Sequence, residues 1–267
     1  MGMSFDEAVA AVTAPGQAFS IVEADVAGQR MKVFEHAPPS LRLLFDSMRA
    51  RGDETFLVYE DERLSFAEVM AQADAIGALL VERYGVVKGD RVAIGMRNYP
   101  EWITSYVAAI SVGAIAVSLN AWWTADELLF GLEDSGTKVL IADQERAERA
   151  EGAFDLQGVR TVVVRSSGPL PPGAERLEDV LVAGAPMPVV DIDPDDDATI
   201  LYTSGTTGRP KGALGTNRGH LHNLWNMAFG AAREAIISNR PPAPARQPAT
   251  LAAQPMFHIG GIAAIIG

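Results

Sequence analysis

Residues 199–216 read TILYTSGTTGRPKGALGT, in which a loop of glycine, serine and threonine separates two more apolar runs. The apolar runs predict two strands, and Pro210 keeps Arg209 out of the helical region, so the loop should lead into a strand. Glycines let backbone amides approach a ligand, hydroxyls add donors, and Lys211 adds a positive charge on a long stem. The pattern favours a strand–loop–strand unit that binds a polyphosphate in a nest of donors. The candidate phosphate-binding residues are Thr203, Ser204, Gly205, Thr206, Thr207, Gly208 and Lys211.

Two alternatives compete with this interpretation. Glycine and threonine also form ordinary hairpin turns, which composition alone favours. A Walker A loop would read G-x-x-x-x-G-K-[ST]. Pro210 stands where that motif needs its second glycine, and Gly212 stands where it needs a hydroxyl. The spacing excludes a Walker A loop, whereas a plain turn stays open on composition.

The composition limits the classes of protein to which the chain can belong. It has 267 residues, 48% hydrophobic and 21% charged, which suffices for one large or two ordinary domains with a core. The formal charge of −12 argues against a nucleic-acid partner, which needs clustered Lys and Arg. The N-terminus MGMSFDEAVAAV is acidic where a signal peptide would be basic. The absence of cysteine excludes disulfides and fits a reducing compartment, so we expect a cytoplasmic protein.

The most apolar stretch, residues 105–123, has a length that suggests a membrane span. Asn98, Pro100 and Glu101 mark the start of a helix before it, which should run to about Val112. Polar or glycine residues then interrupt the stretch at Ser111, Gly113, Ser118 and Asn120. We therefore interpret it as a helix followed by a buried strand and expect no integral membrane segment.

Strand and helix signals alternate along the chain. Ser65 and Glu68 have the spacing of a capping box at a helix start, and Gly85 is suited to end that helix. Thr124 and Glu127 repeat the capping-box spacing. Apolar or β-branched runs predict strands at DRVAIGM, GAIAVSL, TKVLIAD and RTVVVRS. The alternation predicts an α/β fold with mostly parallel sheets covered by helices.

Two turn-rich segments divide this pattern. Residues 166–188 are rich in proline and glycine, which is typical of a surface connection. Residues 189–199 contain five aspartates, interpreted as a solvated linker because a calcium loop would need a turn glycine and a closing glutamate. We predict a first α/β subdomain at residues 1–190 and the start of a second, with the phosphate loop, at residues 191–267.

The segment YTSGTTGRPKG, Tyr202–Gly212, resembles the phosphate-loop signature of the adenylate-forming enzymes. This family comprises acyl- and aryl-CoA synthetases, the adenylation domains of peptide synthetases and beetle luciferases. Residues 64–80 and 108–143 are similar to its early helix motif and to its glycine-centred helix and strand. The resemblance extends from about residue 40 to the C-terminus. It implies the N-terminal portion of the large domain of an adenylate-forming enzyme.

The resemblance implies a two-step ligation. ATP and a small carboxylic acid give an acyl-adenylate and pyrophosphate, and a thiol, commonly that of coenzyme A, then takes the acyl group. Mg2+ would share the phosphate charge with Lys211. PMFHIGGI, residues 255–262, is similar to the motif beside the acyl pocket, which implies a substrate-binding role for Phe257, His258 and Gly260. From the residues alone, His258 is more typical of a core or wall histidine than of a catalytic base.

Other parts of the family pattern are expected beyond Gly267. The resemblance places there the adenine platform, the Glu that helps hold Mg2+, the ribose-binding aspartate, the hinge, and the C-terminal domain with the catalytic lysine. We therefore expect no catalytic residue within this chain and no complete adenylation by this chain alone. A homodimer stays open.

Residues 113–128 look more like the acyl-CoA synthetase branch than the peptide-synthetase branch, although Trp122 and Trp123 fill a place where proline is common. The first hypothesis is a medium- or long-chain fatty acid:CoA ligase. The alternatives are an aryl-CoA ligase, an acyl-AMP ligase that loads a carrier protein, and a non-catalytic nucleotide-binding module. His220 and His222 lie two apart on a predicted helix, so their side chains should diverge and not form a metal pair.

Overall fold

A seven-stranded sheet forms the centre of the protein in the computed structural model, which describes residues 3–151, 158–203, 209–239, 247 and 249–266. Within these residues the strands are β1 Ile21–Val26, β2 Gln29–Phe34, β3 Thr55–Tyr59, β4 Glu62–Ser65, β5 Arg91–Gly95, β6 Ile115–Ser118, β7 Thr137–Asp143, β8 Arg160–Val164, β9 Glu175–Arg176, β10 Asp197–Thr203 and β11 Lys211–Thr216. The helices are α1 Phe5–Thr13, α2 Leu41–Met48, α3 Phe66–Ala78, α4 Pro100–Ser111, α5 Ala125–Ser135, α6 Gln144–Arg149, α7 Leu177–Val180, α8 Asn217–Ser238 and α9 Ile259–Ile266. A 3₁₀ turn follows α2 at Arg49–Arg51, and a π-helical turn follows α3 at Leu79–Arg83.

The central sheet has the strand order β11-β10-β6-β5-β7-β8-β9. Neighbouring strands from β10 to β9 run parallel, and β11 joins β10 antiparallel. Each residue of β6 is buried, as expected for a parallel strand covered on both faces. The α/β fold with a mostly parallel sheet is confirmed. Strands from before and after residue 190 share this sheet, and the division into subdomains at that residue stays a prediction.

Apolar side chains pack on both faces of the sheet. In the cluster beside α2, α3 and α4, Trp102 stacks on Tyr106 with ring centroids 5.1 Å apart, and Phe45 meets Tyr106 edge-on at 6.4 Å. The second cluster packs beside α5 and α6 and includes Leu128 and Leu132. Burial of one such side chain contributes about 1.5–3 kcal/mol. Burial on both faces therefore holds the helices against the sheet.

The caps confirm the predicted helix starts. The Glu68 amide donates to Ser65 Oγ at 3.2 Å, and the Ser65 amide donates to the Glu68 carboxylate at 2.7 Å. Thr124 and Glu127 form the same capping box at α5. Gly85 has φ of +63°, a conformation that glycine adopts without steric cost, and it ends the turn after α3.

The apolar stretch at residues 105–123 divides between a helix and a strand. Helix α4 begins at Pro100 and ends at Ser111, and β6 follows. The predicted helix and buried strand are confirmed. Across the described ranges, no helix combines the length and the apolar character that crossing a bilayer would require.

The aspartate-rich connection before β10 is more strongly anchored than a solvated linker. Asp196 pairs with Lys88 at 2.6 Å and accepts a hydrogen bond from the Asp193 amide, also at 2.6 Å. Asp195 pairs with Arg218 at 2.6 Å, and this contact lowers the pKa of the Asp195 carboxyl. Four of the five aspartates are exposed, as expected for a solvated linker. The pairs of Asp196 with Lys88 and of Asp195 with Arg218 add an anchoring that a local charge pattern does not reveal.

Helix α1 and the β1–β2 hairpin pack near helix α8. The Phe19 ring lies 5.9 Å from the Phe229 ring, and Phe34 lies 6.3 Å from Phe229. Aromatic pairs at this spacing add about 0.5–1.5 kcal/mol beyond their buried area. The N-terminal elements thus support helix α8, which directly follows β11.

Candidate functional site

The candidate segments meet at one edge of the sheet. Strands β5, β6, β7 and β10 are parallel, so the loops that follow them leave the sheet at the same edge. Open α/β sheets bind ligands at the carboxyl ends of their strands. The residues after each of these strands are therefore candidates for the site.

The predicted phosphate loop joins the end of β10 to the start of β11. Thr203 lies opposite Lys211 in the antiparallel register, and the Thr203 hydroxyl donates to the Lys211 carbonyl oxygen at 3.4 Å. Both side chains are exposed. The structure confirms the strands on each side, so Thr203 and Lys211 frame the loop. The intervening candidates lie outside the described residues: Ser204, Gly205, Thr206, Thr207 and Gly208.

The end of strand β10 that leads into the loop is fixed to helix α5. The Tyr202 hydroxyl donates to the Asp134 carboxylate at 2.8 Å and lies 3.2 Å from the Gly131 carbonyl oxygen. Burial, and then the contact with Asp134, raises the pKa of Tyr202, so its hydroxyl stays protonated and donating. Trp123 meets the Tyr202 ring edge-on at 5.3 Å. These contacts hold the strand that enters the loop.

Positive charge lies at the exit of the loop. Lys211 is exposed, and the Arg209 guanidinium lies over the Phe130 ring at 5.5 Å from its centroid. An ammonium beside a loop rich in donors suits an anionic ligand such as a terminal phosphate. In the part of the chain that the structure describes, no group of three or more His, Asp or Glu side chains is arranged to hold a metal ion.

The Pro255–Ile262 segment turns into helix α9. Phe257 is 7% exposed, whereas His258 is exposed, and their ring centroids lie 5.1 Å apart. His258 is therefore not a core histidine, and its imidazole is accessible to a ligand. The substrate-binding role of these two residues stays a prediction.

The glycines of this segment differ in what packing asks of them. A Cβ on Gly261 would overlap the backbone carbonyl of Pro255, which cannot move without shifting the chain. A Cβ on Gly260 would meet only the end of the flexible Gln254 side chain. Close packing against backbone therefore explains why residue 261 is glycine. Packing does not require glycine as strongly at residue 260, for which a substrate-binding role stays a prediction.

The turn after β6, Asn120–Trp123, contacts both candidate segments. Trp123 is buried and packs on Tyr202 at the base of the phosphate hairpin. Trp122 is 60% exposed and meets Phe257 edge-on with centroids 5.3 Å apart. The structure thus brings the predicted phosphate hairpin, strands β10 and β11, and the Phe257 segment into contact with one turn.

Two arginines of helix α6 hold this turn. Arg146 Nε donates to the Ala121 carbonyl oxygen at 2.8 Å, and Arg149 Nη1 donates to the Trp123 carbonyl oxygen at 3.1 Å. The Arg146 guanidinium is buried and pairs with Asp143 at 3.1 Å. A buried pair whose hydrogen-bonding groups are satisfied makes a rigid support for the loops that it contacts.

The histidines of helix α8 have packing roles. His220 is buried, with its Nε2 atom 2.7 Å from Thr199 Oγ1, and burial lowers its pKa. A Cβ on Gly215 would lie 2.6 Å from that nitrogen, so the strand needs glycine there. His222 instead lies beside the Phe34 ring at 5.6 Å. The prediction that the two imidazoles diverge is confirmed.

Comparison with known proteins assigns the family. A sequence model of the family described as AMP-binding enzyme matches residues 44–267. The chain belongs to this family. A 2-succinylbenzoate–CoA ligase of Bacillus velezensis is 31% identical over 210 residues, which cover 78% of this chain and 38% of the relative. The long-chain-fatty-acid–CoA ligase FadD13 of Mycobacterium tuberculosis is 32% identical over 209 residues, which cover 77% of this chain and 38% of the relative.

A solved structure agrees with this assignment. The inhibitor-bound N-terminal domain of FACL13 from Mycobacterium tuberculosis superposes with a TM-score of 0.65 and 27% identity, over 86% of this chain and 54% of that chain. The resemblance read from Tyr202–Gly212 is confirmed. This member of the AMP-binding enzyme family spans about 38% of the length of the two curated relatives. The names of those relatives give two different acids, so the family alone does not select the acid.

Three residues at the site edge have contacts that sequence reasoning missed. In the sequence patterns, Asn98 is only a signal for a helix start, Trp122 is only an unusual residue, and Asp143 is only the end of a strand. Each follows or ends one of the parallel strands β5, β6 and β7. Their position at the carboxyl edge of a predicted parallel sheet is the signal that could have identified them.

Proposed function

We propose that the protein that carries this chain activates a carboxylic acid with ATP and transfers the acyl group to coenzyme A. The observation that carries the proposal is the hairpin in which Thr203 and Lys211 frame a loop of glycine and hydroxyl residues. Membership of the AMP-binding enzyme family supports it, and two relatives are named as CoA ligases.

The proposed chemistry begins with attack of a carboxylate oxygen on the α-phosphorus of ATP. The bond between that phosphorus and the bridging oxygen breaks, and pyrophosphate leaves with the charge that accumulates on it. Loop amides, loop hydroxyls and the Lys211 ammonium would stabilise this charge. Mg2+ would supply further neutralisation of the phosphate charge. The thiolate of coenzyme A then attacks the acyl carbonyl and displaces AMP.

A medium- or long-chain fatty acid is the first candidate for the acid. The likeness to FadD13 supports it. An aryl acid is the second candidate, because the exposed Trp122 ring beside Phe257 offers an aromatic face on which a planar ring packs well. A panel of acids in ATP–pyrophosphate exchange with the full-length enzyme ranks the two. Both a CoA ligase and a carrier-protein ligase should catalyse this exchange without coenzyme A. Only a CoA ligase should then form an acyl thioester when coenzyme A is added.

The test of the phosphate role is the pair of variants Lys211→Ala and Thr206→Ala in the full-length enzyme. Loss of one donor aimed at developing charge costs about 10²–10³ in rate, and we expect exchange to fall by that factor in Lys211→Ala. Because Lys211 is exposed, the unfolding temperature should stay unchanged. Lys32→Ala, an exposed lysine on β2, is the matched control. Full exchange activity in both loop variants would contradict the proposal, and no exchange with any acid in the unaltered enzyme would favour a non-catalytic module.

A further inference from the structure

Asn98 makes three hydrogen bonds to the backbone that leads to Phe257. Its Nδ2 donates to the carbonyl oxygens of Ala252 at 3.2 Å and Gln254 at 2.9 Å. Its Oδ1 accepts from the Met256 amide at 3.0 Å. An asparagine amide has two N–H donors and one carbonyl acceptor, so each kind of group is used on this one segment. The partners are more than 150 residues away in sequence.

The segment has few other backbone contacts of its own. Residues 249–258 belong to no helix or strand. Local turns pair the Ala253 amide with Leu251 at 2.9 Å and the His258 amide with Pro255 at 3.1 Å. Met256 is 6% exposed, and its amide donates to Asn98 in a part-buried hydrogen bond. The Asn98 amide therefore helps to fix the path of the chain into Phe257, together with the Trp122 ring and the packing of Met256 in the core.

The loop that carries Asn98 is itself anchored on both sides. The Arg97 amide donates to Asp143 Oδ2 at 3.1 Å, and the Tyr99 amide donates to the Arg97 carbonyl oxygen at 2.7 Å. The Arg165 guanidinium lies over the Tyr99 ring at 5.0 Å. The loop that carries Asn98 is therefore fixed to its neighbours, and Asn98 links the edge of the sheet to the Phe257 segment.

We propose that Asn98 is a positioning residue for the acid-binding site. It holds the backbone before Phe257 and His258, so that Phe257 keeps its place beside Trp122 and His258 keeps its place beside Phe257. This inference rests on the proposed function, because it assigns the segment to acid binding. Asn98 acts through Phe257 and His258 and not on the reacting atoms, so its loss should weaken acid binding more than ATP binding.

Hydrogen exchange on the full-length enzyme tests the contact itself. In Asn98→Ala, the Met256 amide loses its acceptor, and exchange of the peptide that covers residues 252–258 should accelerate by about tenfold, as expected for the loss of hydrogen bonds of ordinary strength. Asn98→Asp keeps an acceptor but loses both donors, so it should accelerate exchange less. Asn239→Gly is the matched control, because Asn239 ends α8 in a left-handed conformation that glycine adopts freely. Unchanged exchange in Asn98→Ala overturns the proposal.

Steady-state kinetics of the same variants test the role. In Asn98→Ala the KM for the acid should rise by about tenfold, whereas the KM for ATP should change by less than about twofold. Equal changes in both constants, or a change in kcat alone, overturn the positioning role even if exchange accelerates. If the unaltered enzyme adenylates no acid, the proposed function fails, and with it the acid-binding role. The exchange measurement then still reports whether Asn98 holds the segment, so the two failures are distinguishable.

Discussion

The substitution Asp143→Ala removes one member of the buried ion pair at the site edge. The Asp143 and Arg146 side chains are 6% and 3% exposed, and Arg146 Nη1 lies 3.2 and 3.1 Å from the two carboxylate oxygens. Asp143 also accepts the Arg146 amide at 3.0 Å as the N-cap of α6 and the Arg97 amide at 3.1 Å. The substitution therefore removes a charge, a helix cap and a loop contact at once.

The expected cost follows from these contacts. Breaking a buried pair by removal of one partner costs about 3–5 kcal/mol. The lower end applies here, because Glu145, which is 52% exposed, still pairs with Arg146 at 2.8 Å. Loss of the N-cap adds about 1 kcal/mol. The free energy of unfolding should fall by about 4 kcal/mol, a large share of the roughly 5–15 kcal/mol typical of a domain.

Urea unfolding followed by tryptophan fluorescence measures this loss. In the double variant Asp143→Ala/Arg146→Met no buried charge is left unpaired, so its cost should be smaller than the sum of the single costs by about 2 kcal/mol. Glu23→Ala is the matched control, because the Glu23–Arg30 pair has a 2.6 Å contact but side chains that are 59% and 76% exposed. That control should cost less than about 1 kcal/mol. An Asp143→Ala cost no larger than the control's, or strictly additive single costs, would refute the reasoning.

Two further predictions concern stability. Gly131→Ala places a Cβ 2.6 Å from the buried Trp123 ring, so the free energy of unfolding in urea should fall by about 1–2 kcal/mol. Gly230→Ala on α8 has open space at its Cβ and should raise the free energy of unfolding by about 0.5–1 kcal/mol. A rise at both positions would contradict the packing argument. Burial lowers the pKa of His220, so the unfolded chain takes up the proton first, and stability should be full above about pH 6.5 and fall as the pH drops toward the lower folded-state pKa. His220→Asn should lose less stability between pH 7.5 and 5.5 than the unaltered protein, and equal losses would show that other groups set this slope.

Local patterns were sufficient to predict most of the secondary structure. The capping boxes at Ser65 and Thr124 form as their spacing predicts, since a cap depends on residues three apart. The strands on each side of the loop likewise form as the apolar runs and Pro210 predict. Alternating strands and helices predict the parallel sheet, because parallel neighbours need a crossover connection, which is usually a helix. The predictions of caps and turns succeed because each depends on contacts within a few residues, whereas the parallel sheet follows from the order of the elements.

The arrangement of the site depends on contacts between residues that are far apart in sequence. The bonds from Asn98 to the 252–256 backbone cross more than 150 residues, and no periodicity or motif encodes them. The same holds for the contact between Trp122 and Phe257. Motifs therefore predicted which ligand chemistry each segment suits, but they could not predict which side chains hold the segments in place.

A single support under the sheet edge links stability to the site. The Asp143–Arg146 pair contacts the loop of Asn98 through the Arg97 amide and the turn of Trp122 through the Ala121 carbonyl. Those two loops in turn hold the Phe257 segment, and Trp123 of the same turn packs on the phosphate hairpin. Because both candidate segments contact loops that this buried pair supports, a change there should disturb acid and phosphate binding together, whereas a change at Asn98 should disturb acid binding alone. The contrast arises because the Asp143–Arg146 pair contacts the loops that support both candidate segments, whereas Asn98 contacts only the Phe257 segment.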